Sequence, residues 1–418
     1  MHVIHRRLVC RIAFLTMCVL PTLLVIGRIV AHHLPTYRAS VQRRLADQLG
    51  VGVSLDDVME PRPGIVQLTN LRLYDLESDV TFATVGEAKV FRQWDRTVVE
   101  LRQATLDGGH LKRLCRLLHD GTLCTPHDAT LSIRLYSVGD VILRHEAAEL
   151  AFNQFRVHYA PSPERSDVTC EFSAAELGIT APIVILLARH HQTSSPTTTL
   201  ELNTHTDVLP CRYLAPFLPF AALWGQECSF QGCLSGVGQT ASGWQGEGAF
   251  NLSNVDLQQL IGDRWSHHLS GQCDVQCKHL RVEKGQVTEV RGSVDVTEGR
   301  MSASLLHAAQ QELRVQGQLR AQYGAEDLID FQQFHVDLTL DEAGVVLRGR
   351  PHGGYEDVLM VDDSGTVLLR EPHAHDQPLP AMHLVRLVDP SVNFLINAST
   401  RTIELLRFLP IPGGSADP

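Results

Sequence analysis

The sequence predicts a mainly β protein with a few short helices, carried behind one N-terminal transmembrane helix. Three observations predict it. An apolar run follows three early arginines, most of the remaining chain alternates apolar and polar residues in short stretches, and Gly, Asn and Asp punctuate those stretches.

The membrane element comes first. Arg6, Arg7 and Arg11 precede the uncharged run 12–27. A bilayer core takes about 20 apolar residues. Residues 8–31 reach that length, with Arg11 and Arg28 near the ends, where long side chains snorkel to the headgroups. Pro21 is tolerated inside a spanning helix. The competing reading is a cleaved signal peptide with Ala31 at the cut, and the length of the run favours the anchor. Arg28, Arg38, Arg43 and Arg44 nearly balance the early arginines, so charge alone leaves the topology open.

The following elements are read from period and punctuation. Val41, Leu45 and Leu49 recur at helical spacing over 37–49, and Gly50 stops the helix. Val51, Val53 and Leu55 alternate as a strand. Pro61 to Gly64 make a turn into a strand over 65–75, whose alternation slips near Asn70 and predicts a β-bulge. Further strands are expected over 98–106, 131–135, 148–159, 200–206, 246–252, 279–287, 290–296, 312–319, 334–340 and 345–348. Helices are expected over 111–118, 256–262 and 304–311, and loops over 161–169 and 192–198. The apolar stretch 179–188 is too short to span a bilayer and holds Pro182. The stretch 209–224 holds Arg212 and three prolines, which points to packing in a core or at a groove lip. Residues 383–409 read as an amphipathic closing element that caps the fold. The expected organisation is 1–35 cytoplasmic tip and anchor, 36–160 first β-rich segment, 161–300 middle segment, 301–409 closing segment and 410–418 disordered tail.

Composition narrows the function. Hydrophobic residues make up 44% and charged residues 20%, enough apolar surface for a sizeable core. Net charge is −11, and residues 1–28 hold four Arg and no acid, so the rest carries −15. That charge repels nucleic acid and opposes adsorption to anionic lipid surfaces. Ten cysteines include three close pairs, Cys115/Cys124, Cys228/Cys233 and Cys273/Cys277. Local disulfides, buried free thiols and a metal site of Cys228, Cys233, Cys273 and Cys277 are the alternatives; an exported chain favours the first.

No nucleophile elbow, metalloprotease helix, phosphate loop or dinucleotide loop is present, so no catalytic residue and no cofactor is assigned. Gly236, Gly238, Gly243, Gly246 and Gly248 read as turn and bulge glycines. His373 and His375 share a strand face but sit between Pro372 and Pro378 without an evident third ligand, which reads as a solvated loop. Asp362 to Gly365 read as a tight turn. Asn251-Leu-Ser253 and Asn397-Ala-Ser399 fit the glycosylation pattern.

Three stretches together resemble the AsmA-like family of inner-membrane-anchored envelope proteins. They are the N-terminal span with the helix ending Leu49-Gly50 and Val51-Gly-Val53-Ser-Leu55; the segment from Arg62-Pro63-Gly64 through Asn70 to Asp75; and the segment from Ser229 through Gly232 and Gly236 to Leu252-Ser-Asn254-Val-Asp256-Leu257. The resemblance implies an elongated, twisted, groove-like antiparallel β structure lined with apolar side chains. It implies a role in lipid handling or envelope biogenesis, at the inner (cytoplasmic) membrane, with the bulk of the chain on the periplasmic side. Membrane lipid and an envelope protein are the implied partners. A groove would draw its lining from alternating positions: Val66, Leu68, Leu71, Leu73, Val99, Leu101, Leu106, Phe250, Leu252, Val294 and Val296. The other readings are an anchored β scaffold that docks a partner protein without lipid, and an enzyme with dispersed residues.

Overall fold

The computed structural model describes residues 9, 11–23, 35–94, 96–124, 132–145, 148–191, 196–215, 217–239, 243–262, 265, 267–317, 324, 326–372 and 377–389. The chain divides into two units, Met1–Ser166 and Asp167–Pro418. Residues 11–23 are helical, with a π turn over Leu15–Val19. Phe14, Leu15, Met17, Leu20 and Leu23 on it are all exposed. Among the described residues no helix is long and apolar enough to cross a bilayer. The expected span over 8–31 is described only in part, since residues 8, 10 and 24–31 lie outside the described residues.

In the first unit the helix Pro35–Leu49 ends at Gly50, whose φ of +69° is the left-handed stop that glycine accepts without a Cβ clash. Arg38 and Gln42 donate to the carbonyls of Asp56 and Leu55, tying the helix to the first strands. These strands are β1 (Gly52–Ser54), β2 (Asp57–Arg62), β3 (Ile65–Tyr74), β4 (Thr81–Gln93), β5 (Arg96–Asp107), β6 (Ser132–Ser137), β7 (Val141–His145) and β8 (Ala148–Ala160). β1 and β2 both pair with β3, and β3, β4 and β5 follow in antiparallel order. β6 and β7 pair parallel to β5 and antiparallel to β8. The sheet is therefore not antiparallel throughout, as the family resemblance implied. The helix Leu111–Leu118 lies in the connection after β5, and a crossover of that kind is what a parallel neighbour requires.

The second unit begins within β9 (Arg165–Ala174) and continues with β10 (Ile179–His190), β11 (Thr197–Asn203), β12 (Leu209–Pro210), β13 (Ser229–Gln239), β14 (Gly243–Asp256), β15 (Leu269–Glu283) and β16 (Gln286–Ser302). After the helix Ala303–Glu312 come β17 (Val315–Gly317), β18 (Leu328–Phe331), β19 (Gln333–Asp341), β20 (Gly344–Arg348), β21 (Arg350–His352), β22 (Tyr355–Val361) and β23 (Val367–Pro372). β9 pairs with β10, and β10, β11, β13, β14, β15, β16 and β19 follow as antiparallel neighbours. β20 and β22 pair with β19, and β23 lies between β22 and β17.

Several expectations change here. Residues 165–169 are strand and not loop, and 179–188 lies within β10, with Pro182 exposed. The expected strand 279–287 is a hairpin: Lys284 (φ +53°) and Gly285 (φ +79°) adopt the paired left-handed backbone of a tight two-residue turn. Over 312–319, Glu312 still belongs to the helix, Val315–Gly317 is strand, and residues 318 and 319 lie outside the described residues. Over 256–262 the helix is a π turn, Gln258–Gly262. β16 runs unbroken through residues 300 and 301, where a segment boundary was expected. Of the closing element 383–409, residues 383–388 belong to the helix Met382–Val388, while residues 390–409 and the tail 410–418 lie outside the described residues.

Candidate functional site

Residues paired across a sheet share a face, so the register shows what each face carries. In the first unit one set of rows is apolar: Val66–Val90–Val99–Leu135–Val157, Leu68–Ala88–Leu101, Leu71–Val85–Ala104–Val141–Phe152 and Leu73–Ala83–Leu106–Leu143–Leu150. The rows between them are polar, as in Gln67–Lys89–Glu100–Tyr136–Arg156 and Thr69–Glu87–Arg102. The spacing from Leu68 to Leu71 breaks the two-residue period, yet both rows stay apolar. Asn70 (φ +50°) and Gln103 (φ +54°) stand in that gap on β3 and β5, and Gln154 (φ +53°) on β8. A left-handed residue puts two successive side chains on one side, as a bulge does. The slip near Asn70 is therefore one point on a line of skips crossing several strands, and it keeps the apolar rows together.

The second unit repeats the plan with no helix-linked parallel pairing. Its apolar rows are Leu234–Gly248–Leu280–Val290–Leu340, Phe250–Cys277–Gly292–Leu338–Leu347, Leu252–Val275–Val294–Val336 and Val255–Cys273–Val296–Phe334. The reverse side carries Glu247–Arg281–Glu289 and Asn251–Gln276–Ser293–Asp337–Arg348. On that polar side His335 lies between two carboxylates, Asp295 at 2.6 Å and Asp337 at 3.4 Å, and Arg350 reaches Asp295 at 3.0 Å. These bonds tie β16, β19 and β21 together.

The eleven groove candidates fall into these rows, seven in the first unit and four in the second. The sequence reading missed their neighbours Val275, Leu280, Val290, Leu338 and Leu347. The alternation of Cys273, Val275 and Cys277 was the available signal, hidden by two of the three being cysteines.

The apolar face of the second unit is closed along its Val255 row and partly open along the others. At one end Val255, Cys273 and Val296 are buried; at the other Leu340 and Val345 pack with Ala381, and Leu384 of the helix Met382–Val388 joins them. Along the rows Leu234, Phe250, Val275, Leu280, Val294 and Leu338 are half-buried beside the buried Leu252, Cys277 and Val336, and at the edge of the face Leu200 is 38% exposed and Trp244 49%. The strand glycines contribute to this shape. Gly236, Gly238, Gly246 and Gly248 lie inside β13 and β14 and not in turns. A Cβ at Gly238 would meet the Trp244 ring at 2.9 Å, and one at Gly248 would meet Leu234 at 2.6 Å. The glycines are seats over which those two large side chains lie.

The cysteines do not form the expected local pairs. Cys273 and Cys277 lie on one extended strand, about 13 Å apart at roughly 3.3 Å per residue, beyond disulfide reach. Cys228 immediately precedes β13 and Cys233 lies inside it, which separates them similarly. The Cys124 thiol rests 3.6 Å from His119 Nδ1. Burial pushes the Cys273 thiol up to about 12 and raises that of Cys277. Among the described residues one group, His119, Asp120 and Cys124, brings three potential ligand atoms within 4.8 Å of one another. The four-cysteine alternative is not such a group, and residues 373–376 lie outside the described residues.

Comparison with family models, with curated proteins and with solved structures returns no match to this chain.

Proposed function

We propose that this is a non-enzymatic, membrane-anchored envelope protein that holds lipid acyl chains on the apolar face of its second unit. The observation that carries this reading is a partly open face whose cross-strand rows are apolar throughout while the reverse side is polar. Apolar surface left in water costs roughly 25 cal/mol per Å². An acyl chain laid along Leu234, Phe250, Leu280 and Val294 removes that surface from water without needing a hydrogen bond. A broad exposed apolar face of this kind marks a binding surface more often than a fault in packing.

The anchor reading rests on the bare apolar side chains of helix 11–23, Met17 among them at 80% exposure, together with the apolar sequence that follows. It gives a single pass in the inner membrane with the bulk of the chain periplasmic, where an envelope protein would supply or receive the lipid. The acidic remainder of the chain keeps the folded part off anionic headgroups. The resemblance to the AsmA-like family points the same way.

The test is native mass spectrometry of the full-length chain extracted in mild detergent. Phospholipid is expected in near-stoichiometric amount, and its loss is expected in Leu280→Glu with an unchanged circular dichroism spectrum. A lipid-free wild-type protein overturns lipid carriage and leaves an anchored scaffold that docks a protein partner.

A further inference from the structure

We propose that Cys211 and Cys228 are joined by an intrachain disulfide in the mature protein, clasping the loop between β12 and β13. The ladder sets the two residues opposite each other. Leu209 pairs with Phe230 and Pro210 with Ser229, and the next pair in that register is Cys211 with Cys228. The Cys211 N–H donates to the Cys228 carbonyl at 2.8 Å, which continues the ladder to the cysteines themselves. Their sulfurs lie 2.8 Å apart, and both residues are fully buried. A disulfide needs facing Cβ atoms on closely spaced backbones, and two directly opposed strand residues supply them. Among the described residues no third ligand atom joins the pair, so a metal set is not completed there.

The bond forms by two exchange steps with an oxidised disulfide, such as that of a thiol–disulfide oxidoreductase or oxidised glutathione. One cysteine thiolate attacks an oxidant sulfur and expels the other oxidant sulfur as a thiolate. The second cysteine thiolate then attacks the mixed disulfide at the protein sulfur, forms the intrachain bond and releases the second oxidant thiolate. Two protons and two electrons leave the cysteine pair, and the oxidant disulfide becomes two thiols. Burial and the contact with Cys228 hold the Cys211 thiol protonated well above the ordinary thiol range, the contact being the larger cause. The thiolate needed for attack is therefore scarce once the fold has closed, so the bridge forms while the loop is still open. Once formed it is shielded from reductants by the same burial.

The clasp has a structural consequence. The two cysteines are 17 residues apart, and the loop between them buries Tyr213, Leu214 and Ala221. Its Trp224 carbonyl accepts from the N–H of Asp256 at the end of β14, beside the closed end of the apolar face. The bridge holds that closure at its two roots.

The test uses the full-length protein from its own membranes, denatured with N-ethylmaleimide present and no reductant, then digested with trypsin and read by tandem mass spectrometry. Trypsin cuts after Arg212, so the bridge would hold two peptides together. The expected product is that linked pair, two hydrogens lighter than the sum of its thiol forms, with maleimide on Cys233, Cys273 and Cys277. Maleimide on both Cys211 and Cys228, or Cys228 linked to Cys233 or Cys273, overturns the inference. The readout is independent of lipid: a lipid-free protein that carries the bridge leaves the clasp standing while removing the proposed function.

Discussion

The two units use the same one-sided sheet and finish it differently. In the first, the middle of the apolar face is filled: Val85, Ala88, Leu101, Ala104, Val141, Leu143 and Leu150 are all buried. The connection after β5 buries Leu114 and Leu123. Tyr159, in a row of the same sheet, donates from its hydroxyl to the Thr122 carbonyl at 3.2 Å, which ties that connection down. In the second unit the corresponding middle rows are covered only in part: Leu252, Cys277 and Val336 are buried, while Phe250, Val275, Val294 and Leu338 are half-buried. Similar alternation therefore leaves the middle of one face buried and that of the other buried only in part.

The sharpest way to break this comparison is to place the same charge on both faces. Val141→Asp buries an unpaired carboxylate at a position 1% exposed. An uncompensated buried charge costs several kcal/mol, comparable to the stability of a whole domain. No folded first unit is expected, read as loss of the cooperative thermal transition. Leu280→Glu places its carboxylate at a half-buried position of the second unit, where water reaches it. A loss of about 1 kcal/mol is expected there, with lipid lost and the fold kept. Equal collapse of both variants would make the second face a filled core as well.

The legibility of the fold follows the same line. The helices over 37–49, 111–118 and 304–311 and the strand with its slip at Asn70 were readable because local period and punctuation specify them. β4, β9, β10 and β13 were not read. β4 mixes Phe82 and Ala83 with charges over 81–93, and β13 is diluted by Gly232, Gly236 and Gly238, so neither shows a clean alternation. The parallel placement of β6 could not be read at all, because pairing partners are set by a crossover and not by the strand's own residues. The groove candidates landed in apolar rows because alternation selects a face reliably where the skips are recognised. Whether that face is covered depends on distant segments, and so does the Cys211–Cys228 contact, since spacing along the chain favoured Cys233 as the partner of Cys228.

Acid separates the units at different pH. In the second unit, burial lowers the pKa of His267 below the ordinary value of about 6.5; its Nδ1 lies 2.9 Å from Ser304 Oγ, and its Nε2 is buried without a partner among the described residues. A depressed histidine pKa means that the folded state resists the proton while the unfolded state accepts it. Stability is full above about 6.5 and falls as pH drops from there towards the folded-state value. In the first unit the Asp75 carboxyl is held low chiefly by the Ser78 hydroxyl, with the Glu77 N–H and Arg113, at 2.6 Å, assisting. Its contribution is present above about 4 and is lost only as pH falls through the lower folded value. Thermal midpoints measured from pH 7.5 to 3 should show the second unit weakening first. His267→Gln should flatten the decline that sets in below pH 6.5 and leave the loss caused by Asp75 at lower pH intact. A decline unchanged by His267→Gln would remove that histidine as its cause.

The smallest effect concerns how each sheet breaks its period. The second unit breaks its period at Asn254 (φ +59°), in the shift between Leu252 and Val255, and at Gly271 (φ +133°), in the shift before Cys273, where no side chain opposes the backbone. The first unit uses Asn70 and Gln103, and left-handed backbone costs an L-residue about 1 kcal/mol. At Gln103 the side chain recovers part of that cost by lying over Gly86, whose added Cβ would meet Gln103 Oε1. Gln103→Gly relieves the strain but uncovers Gly86 and frees the unfolded chain, so a gain of at most about 1 kcal/mol is expected by chemical denaturation. Gln103→Val keeps the strain, adds a β-branch that fits this backbone poorly and should lose about 1–2 kcal/mol. The contrast between these two variants isolates the backbone, since both remove the cover over Gly86. If the valine variant were as stable as the glycine variant, residue 103 would have left the left-handed region. The row of skips would then be a consequence of the apolar rows aligning and not the device that aligns them.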